Sequence, residues 1–147
     1  MRRLTKSQYY ADAYVDVRFQ EVDTLHIVWH GHYISYFEVA RETFGKEYGM
    51  SYQSFIDRHI AVPVTLAHCE YKRSLKYGDR ARVRAYFIES RSAKIIYTYE
   101  VFNADTDQLV ATGRTEQVFT DPASGDLFLQ FPDFYSTWVD ELKARFT

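Results

Sequence analysis

An α+β fold, with one antiparallel sheet wrapped around one long helix, is predicted by three features of the sequence. From Tyr33 to Tyr48 the large apolar residues Ile34, Phe37, Ala40, Phe44 and Tyr48 recur at three- and four-residue steps, with Glu38, Arg41, Glu42 and Lys46 among them, as on an amphipathic helix. Three or four segments of strand character follow, joined by short polar connections, and short connections make neighbouring strands antiparallel. In one of them Arg80, Arg82 and Arg84 alternate with Ala81, Val83 and Ala85, giving a wet face and a dry one. The dry face needs an apolar partner, and the long helix is the one element able to supply it.

Taken in order, the first element is a strand over Ala13 to Phe19, where Tyr and Val alternate with Asp and Arg. The main helix, Tyr33 to Tyr48, ends at Gly49, a residue suited to the left-handed position just past a helix. Ser51 then caps a short second helix running to about Arg58. The β segments are Val62 to Arg73, Arg80 to Ser90, Lys94 to Phe102 and Gln108 to Thr120. They are separated by Gly78-Asp79, Ser90-Arg91-Ser92 and Asn103 to Asp107, all turn-forming sequences. A turn at Asp121 to Gly125 leads to a last helix capped by Asp133 and ending near Arg145.

Composition narrows the functional classes. The 147 residues fit a single domain spanning 1–147, since a chain of about 150 residues buries roughly 70% of its unfolded surface in one core. Apolar residues at 46% and charged residues at 26% are those of a globular protein. The aromatic fraction of 18% favours wide β surfaces and provides flat rings for a binding groove. Cys69 is the single cysteine, so no internal disulfide is expected. Met1 to Asp12 carry Arg2, Arg3 and Lys6 without an apolar run behind them, and no window reaches transmembrane length. The expectation is a cytoplasmic protein with no membrane span. Net charge is −2 and the basic residues are dispersed, which argues against nucleic acid as a partner.

The chemistry concentrates in Glu21 to Tyr33, between the first strand and the main helix. Asp23 stands among Val22, Leu25 and Ile27, where burial raises a carboxyl pKa unless hydrogen bonds to the charged form offset it. The plain alternative makes Asp23 a turn residue. Residues His30 to Tyr33 occupy the helix start, where unpartnered N–H groups and the helix dipole favour negative charge. A carboxylate seven residues upstream can face a carbonyl polarised by the His30 or Gly31 amide, and Gly31 permits close approach of the backbone. These are the parts that acyl transfer requires. Asp23 then acts either as nucleophile or as general base toward water.

The run Asp23-Thr-Leu-His-Ile-Val-Trp-His-Gly-His-Tyr33, followed by Tyr36-Phe37-Glu38-Val39-Ala40-Arg41, resembles the signature of the hotdog-fold 4-hydroxybenzoyl-CoA thioesterase family. Tyr71-Lys72-Arg73-Ser74-Leu75-Lys76-Tyr77-Gly78-Asp79 also resembles that family's strand and turn. The likeness covers roughly Val15 to Leu142. It implies a hotdog acyl-CoA thioesterase that forms a homodimer or homotetramer, uses no cofactor or metal and takes coenzyme A as part of its substrate. It further implies that Asp23 is the catalytic carboxylate and that the His30 amide polarises the thioester carbonyl. Three positions depart from the pattern: His26 stands where Gly is usual, His32 where Asn is usual and Ser74 where Pro is frequent. Acyl preference is therefore open.

Other readings of these residues compete. His26, His30 and His32 are close in sequence, but His59 and His68 fall in separate elements and no recognised metal spacing is completed. Glu38 is a second candidate acid from within the helix, against the alternative of a buried acid paired with Arg41. Trp29, Gly31 and Tyr33 are candidate substrate contacts, although aromatic residues at such a junction commonly belong to the core. Arg73, Arg91, Lys94 and Arg114 lie near strand ends, and Arg91 and Lys94, which flank one turn, are the preferred pair for coenzyme A phosphates. Cys69 reads as an inert thiol. Two alternatives remain: an acyl carrier protein thioesterase, and a non-enzymatic binder of acyl or aromatic ligands.

Overall fold

The computed structural model describes residues 3–147, so Met1 and Arg2 of the N-terminal reading lie outside the described residues. The elements are β1 (Tyr10–Asp16), a 3-10 turn (Phe19–Glu21), α1 (His32–Tyr48), α2 (Tyr52–Ile56), β2 (Val64–Tyr71), β3 (Arg80–Ile88), β4 (Lys94–Asn103), β5 (Leu109–Val118) and α3 (Asp133–Ala144). The five strands form one sheet in the order β1-β3-β4-β5-β2, every neighbouring pair antiparallel.

The alternation in β3 has the predicted consequence. Ala81, Val83 and Ala85 are fully buried and face α1 with Val101 and Tyr99 of β4. Helix α1 turns Tyr33, Tyr36, Phe37, Ala40 and Phe44 into the same core. The ring of Phe37 stacks on Tyr99 with centroids 4.4 Å apart and 7° between planes. Burial of a side chain of this size stabilises the fold by roughly 1.5–3 kcal/mol. Gly49 takes φ +85° at the end of α1, as its position required. The freed carbonyl of Tyr48 accepts the Trp138 indole N–H of α3 at 2.7 Å.

Several boundaries differ from expectation, three of them for a visible reason. Strand β1 stops at Asp16, because the chain beyond enters the 3-10 turn, where the Glu21 carboxylate accepts the Arg18 amide at 2.8 Å. Strand β2 is shorter than Val62 to Arg73, since the amides of Lys72 and Arg73 both turn to the Val110 carbonyl. Pro132, not Asp133, is the cap residue of α3, and Asp133 is its first helical residue.

The outer sheet face carries the arginines predicted to be wet, and they are paired rather than merely solvated. Arg84 holds Asp12 through two nitrogens at 2.7 and 2.9 Å, and Arg82 reaches Asp107 at 2.9 Å. Strand β2, at one edge of the sheet, contains no fully buried residue and exposes Val64 and Leu66.

Candidate active site

The segment between β1 and α1 folds as a narrow loop whose two sides pair. The Asp23 amide donates to the Ile27 carbonyl at 2.9 Å, Val22 bridges Val28, and the Trp29 amide donates to the Glu21 carbonyl at 2.8 Å. The loop is also fixed to the rest of the fold: the Val28 amide donates to Leu75 at 2.8 Å, and Ile27 bridges Lys76. In this ladder Asp23 and the start of α1 are separated by about three residue steps, roughly 10 Å at about 3.3 Å per step.

Asp23 is partly exposed and does two jobs at once. Its Oδ1 accepts the Leu25 amide at 2.8 Å and its backbone carbonyl accepts the His26 amide at 2.9 Å, so the turn reading holds for part of the residue. Among the described residues Oδ2 has no protein partner. The tight turn obliges His26 to take φ +66°, a left-handed conformation that glycine adopts at less cost.

At the helix start, Gly31 is the cap residue and His32 the first helical residue. The Trp29 carbonyl accepts the His32 amide at 3.0 Å, and the His30 carbonyl accepts the Tyr71 hydroxyl at 2.7 Å. Among the described residues the amides of His30 and Gly31 donate to no protein acceptor. A Cβ on Gly31 would collide with the Trp29 ring, so the absence of a side chain at 31 is what seats the indole. Trp29 itself remains 46% exposed, its ring 4.9 Å from that of His30 and 5.4 Å from that of His32.

Tyr33 is in a different environment. It is 2% exposed, belongs to the core and meets Tyr36 and Tyr71 edgewise, at 5.7 and 5.2 Å between centroids. Burial pushes its phenol up to about 12. Glu38 is not a buried acid: its side chain is 61% exposed, while Arg41, 4.0 Å away, is the buried partner. The Arg41 guanidinium is held by the hydroxyls of Tyr52, Tyr99 and Thr115. Burial also pushes the Cys69 thiol up to about 11, which leaves it protonated and unreactive near neutrality.

Arg91 and Lys94 stand away from the loop within one chain. Tyr71, beside His30, pairs with Ala111 of β5, whereas Lys94 pairs with Val118, seven residues along the same strand and roughly 23 Å away at about 3.3 Å per residue. Lys94 is ion-paired with Glu116 at 3.1 Å. Arg91 and Lys94 line a cavity of about 440 Å³ between the β3–β4 turn and α3. No group of three or more His, Cys, Asp or Glu side chains able to hold a metal occurs among the described residues, and no helix is long and apolar enough to cross a membrane.

Two residues of the site had no role assigned from sequence. Glu21 is 4% exposed, and its carboxylate accepts both the Arg18 amide and the Tyr36 hydroxyl, tying the loop to α1. Tyr71 belongs to the Tyr71–Asp79 motif, but its contact with His30 crosses 41 positions of sequence and leaves no local signal.

Comparison with known proteins places the chain in a family. A model of the thioesterase-like superfamily matches residues 17–145. A putative acyl-CoA thioesterase of Bacillus subtilis is 30% identical over 89 residues, which are 60% of this chain and 64% of that protein, just under two thirds of its length. A putative esterase of Aquifex aeolicus is 36% identical over 89 residues, 60% of this chain and 70% of the relative. The solved structure of a DHNA-CoA thioesterase from Staphylococcus aureus superposes with a TM-score of 0.81 at 27% identity, covering 94% of this chain and 95% of that one. The sheet wrapped around α1 is the hotdog fold.

Proposed function

Because the chain belongs to the thioesterase-like superfamily, we propose that it is an acyl-CoA thioesterase, hydrolysing a thioester to a free carboxylic acid and coenzyme A, with Asp23 at the centre of the chemistry. The observation that carries this reading is the pairing of an Asp23 carboxylate oxygen that has no protein partner with two unpartnered amides, His30 and Gly31, across one short loop.

The thioester carbonyl sits between them. Oδ1 is committed to the Leu25 amide and keeps the carboxylate oriented, which leaves Oδ2 as the reacting oxygen. It either takes a proton from the attacking water or attacks the carbonyl carbon itself, in which case departure of the thiolate leaves an anhydride that water then opens. Negative charge then gathers on the carbonyl oxygen, and preorganised N–H donors at a helix start stabilise it most where it develops. The C–S bond breaks, the thiolate departs and takes up a proton, and the acid is released. These steps need no metal or bound organic cofactor. Trp29, exposed beside Gly31, forms a flat wall for the acyl group.

A homodimer formed along β2 completes the reading, with a homotetramer as the larger assembly. An exposed edge strand bearing Val64 and Leu66 is a template for pairing. A second copy added antiparallel on β2 lays its Arg91 and Lys94 end beside this chain's Asp23 loop, so the cations that one chain holds apart from its own carboxylate serve the phosphates bound at its neighbour's. A cytoplasmic location suits a coenzyme A ester as substrate.

Thiol release from a panel of short, long and aromatic acyl-CoA esters tests the assignment. Turnover on at least one ester is expected. Tight binding of every ester with no thiol released would make the chain a ligand binder instead, and turnover confined to acyl carrier protein esters would change the carrier.

A further inference from the structure

The two amides of the proposed oxyanion site are fixed by different means, and one of them depends on a residue outside the loop. A peptide unit is planar and trans, so the direction of an N–H is set by the C=O on the other side of the same bond. The His30 amide shares its peptide with the Trp29 carbonyl, which is held by the His32 amide at 3.0 Å, an interaction within the helix start. The Gly31 amide shares its peptide with the His30 carbonyl, and there the partner is the Tyr71 hydroxyl at 2.7 Å, brought from the end of β2.

From this we infer that Tyr71 is a positioning residue for the thioesterase reaction: its hydroxyl, by donating to the His30 carbonyl, aims the Gly31 N–H at the substrate oxygen and strengthens it as a donor. The inference rests on the reading of the loop as a thioesterase site. A carbonyl that accepts a hydrogen bond polarises its peptide and makes the N–H at the other end a better donor, so consecutive bonds in such a chain reinforce one another. The oxyanion completes the chain from Tyr71 through the His30–Gly31 peptide to the substrate.

The surroundings hold the phenol in place. Its ring meets Tyr33 edgewise at 5.2 Å and the His30 imidazole at 6.3 Å, nearly perpendicular in both cases. Tyr33 is rigid because it belongs to the core, so the Tyr71 ring is braced on one side although 48% of the residue is exposed. Partial burial and the neighbouring Cys69 hold the phenol pKa up at about 12, so the hydroxyl keeps the proton it donates at any pH at which a thioester is assayed. The Trp29 ring occupies the place that a Gly31 side chain would take. Tyr71 touches no reacting atom in this scheme; it acts through the peptide.

Tyr71→Phe deletes the oxygen and keeps the ring, which separates positioning from packing. Two measurements on the full chain decide the matter. The first is kcat and KM on whichever acyl-CoA ester the natural chain hydrolyses. The expected result is a kcat lower by about tenfold, less than the loss on removing an oxyanion donor outright, with KM nearly unchanged. The second needs no substrate: the amide nitrogen shift of Gly31 in ¹⁵N-labelled protein, which responds to hydrogen bonding at the preceding carbonyl. An upfield move in Tyr71→Phe, with other amides of the core unmoved, is expected.

An unmoved Gly31 signal overturns the inference whatever the kinetics. So does a moved signal in an active enzyme whose kcat is unchanged, and in both cases the thioesterase reading survives. A natural chain that turns over no ester overturns that reading, and this inference with it.

Discussion

The hydroxyl of Tyr36 in α1 donates to Oε1 of Glu21 at 3.2 Å, and both residues are almost wholly buried. This contact clips the base of the Asp23 loop to the helix that follows the proposed oxyanion site at His30 and Gly31. Removing the Tyr36 hydroxyl leaves Oε1 with the Arg18 amide alone, at a cost of about 1 kcal/mol for the lost bond. Tyr36→Phe is expected to lower the thermal midpoint by about 2–4 °C for a chain of this length. It should also lower kcat more than a surface substitution of equal stability cost, as calorimetry and thiol release on the same preparation would reveal.

Gly31 and Trp29 make a second, steric prediction. A methyl group at 31 collides with the indole ring, so Gly31→Ala must displace Trp29 or shift the helix start. Activity is expected to fall by at least roughly tenfold, since small misplacements of donors are costly. Trp29→Ala in the same chain removes the collision, so the double variant should lose less than the two single losses multiplied together, a coupling readable in a double-mutant cycle.

Glu116 gives a prediction about pH. Burial opposes its ionisation, but hydrogen bonds from Arg114 and Lys94 outweigh burial and hold its carboxyl below the ordinary value. A group whose pKa is lower in the folded state contributes stability above the unfolded pKa and loses it as pH falls through the folded one. The natural chain should therefore be more stable than Glu116→Gln at pH 7, and the gap should close as pH falls below about 4. Thermal midpoints of the two chains at several pH values measure it.

Arg91 bears on the carrier. If its cation meets the phosphates of coenzyme A, Arg91→Ala should raise KM for an acyl-CoA by about fivefold, the effect of roughly 1 kcal/mol for an exposed ionic contact. KM for the matching acyl-pantetheine, which lacks the nucleotide, should not move. Equal changes on both substrates would assign Arg91 another role.

How much of this was legible in the sequence follows from the range of each interaction. The long helix, the dry face of β3 and the Gly49 terminus were readable because periodicity and turn chemistry are local, and all three stand where residues 33–49 and 80–88 placed them. The loop was legible as a unit, and the departure at His26 acquires a physical meaning, since φ +66° is the conformation that makes glycine the easier choice there. Contacts across the fold left no such trace. Nothing near Glu38 announces that its neighbour Arg41 is the buried partner, because that depends on Tyr99 and Thr115 arriving from β4 and β5. The separation of Lys94 from the loop likewise follows from the register of β4 on β5, which the strand sequences alone leave unset.

The central claim is that Asp23, and not Glu38, carries the reaction. Its most direct test is kcat for thiol release from the best acyl-CoA substrate by the natural chain, Asp23→Asn and Glu38→Gln, each checked for an unchanged fold. Loss of a general base or nucleophile is expected to cost Asp23→Asn roughly 10²–10⁴-fold, while Glu38→Gln, altered at an exposed position, stays within about twofold of the natural chain. Full activity in Asp23→Asn, or a collapse confined to Glu38→Gln, would contradict the account.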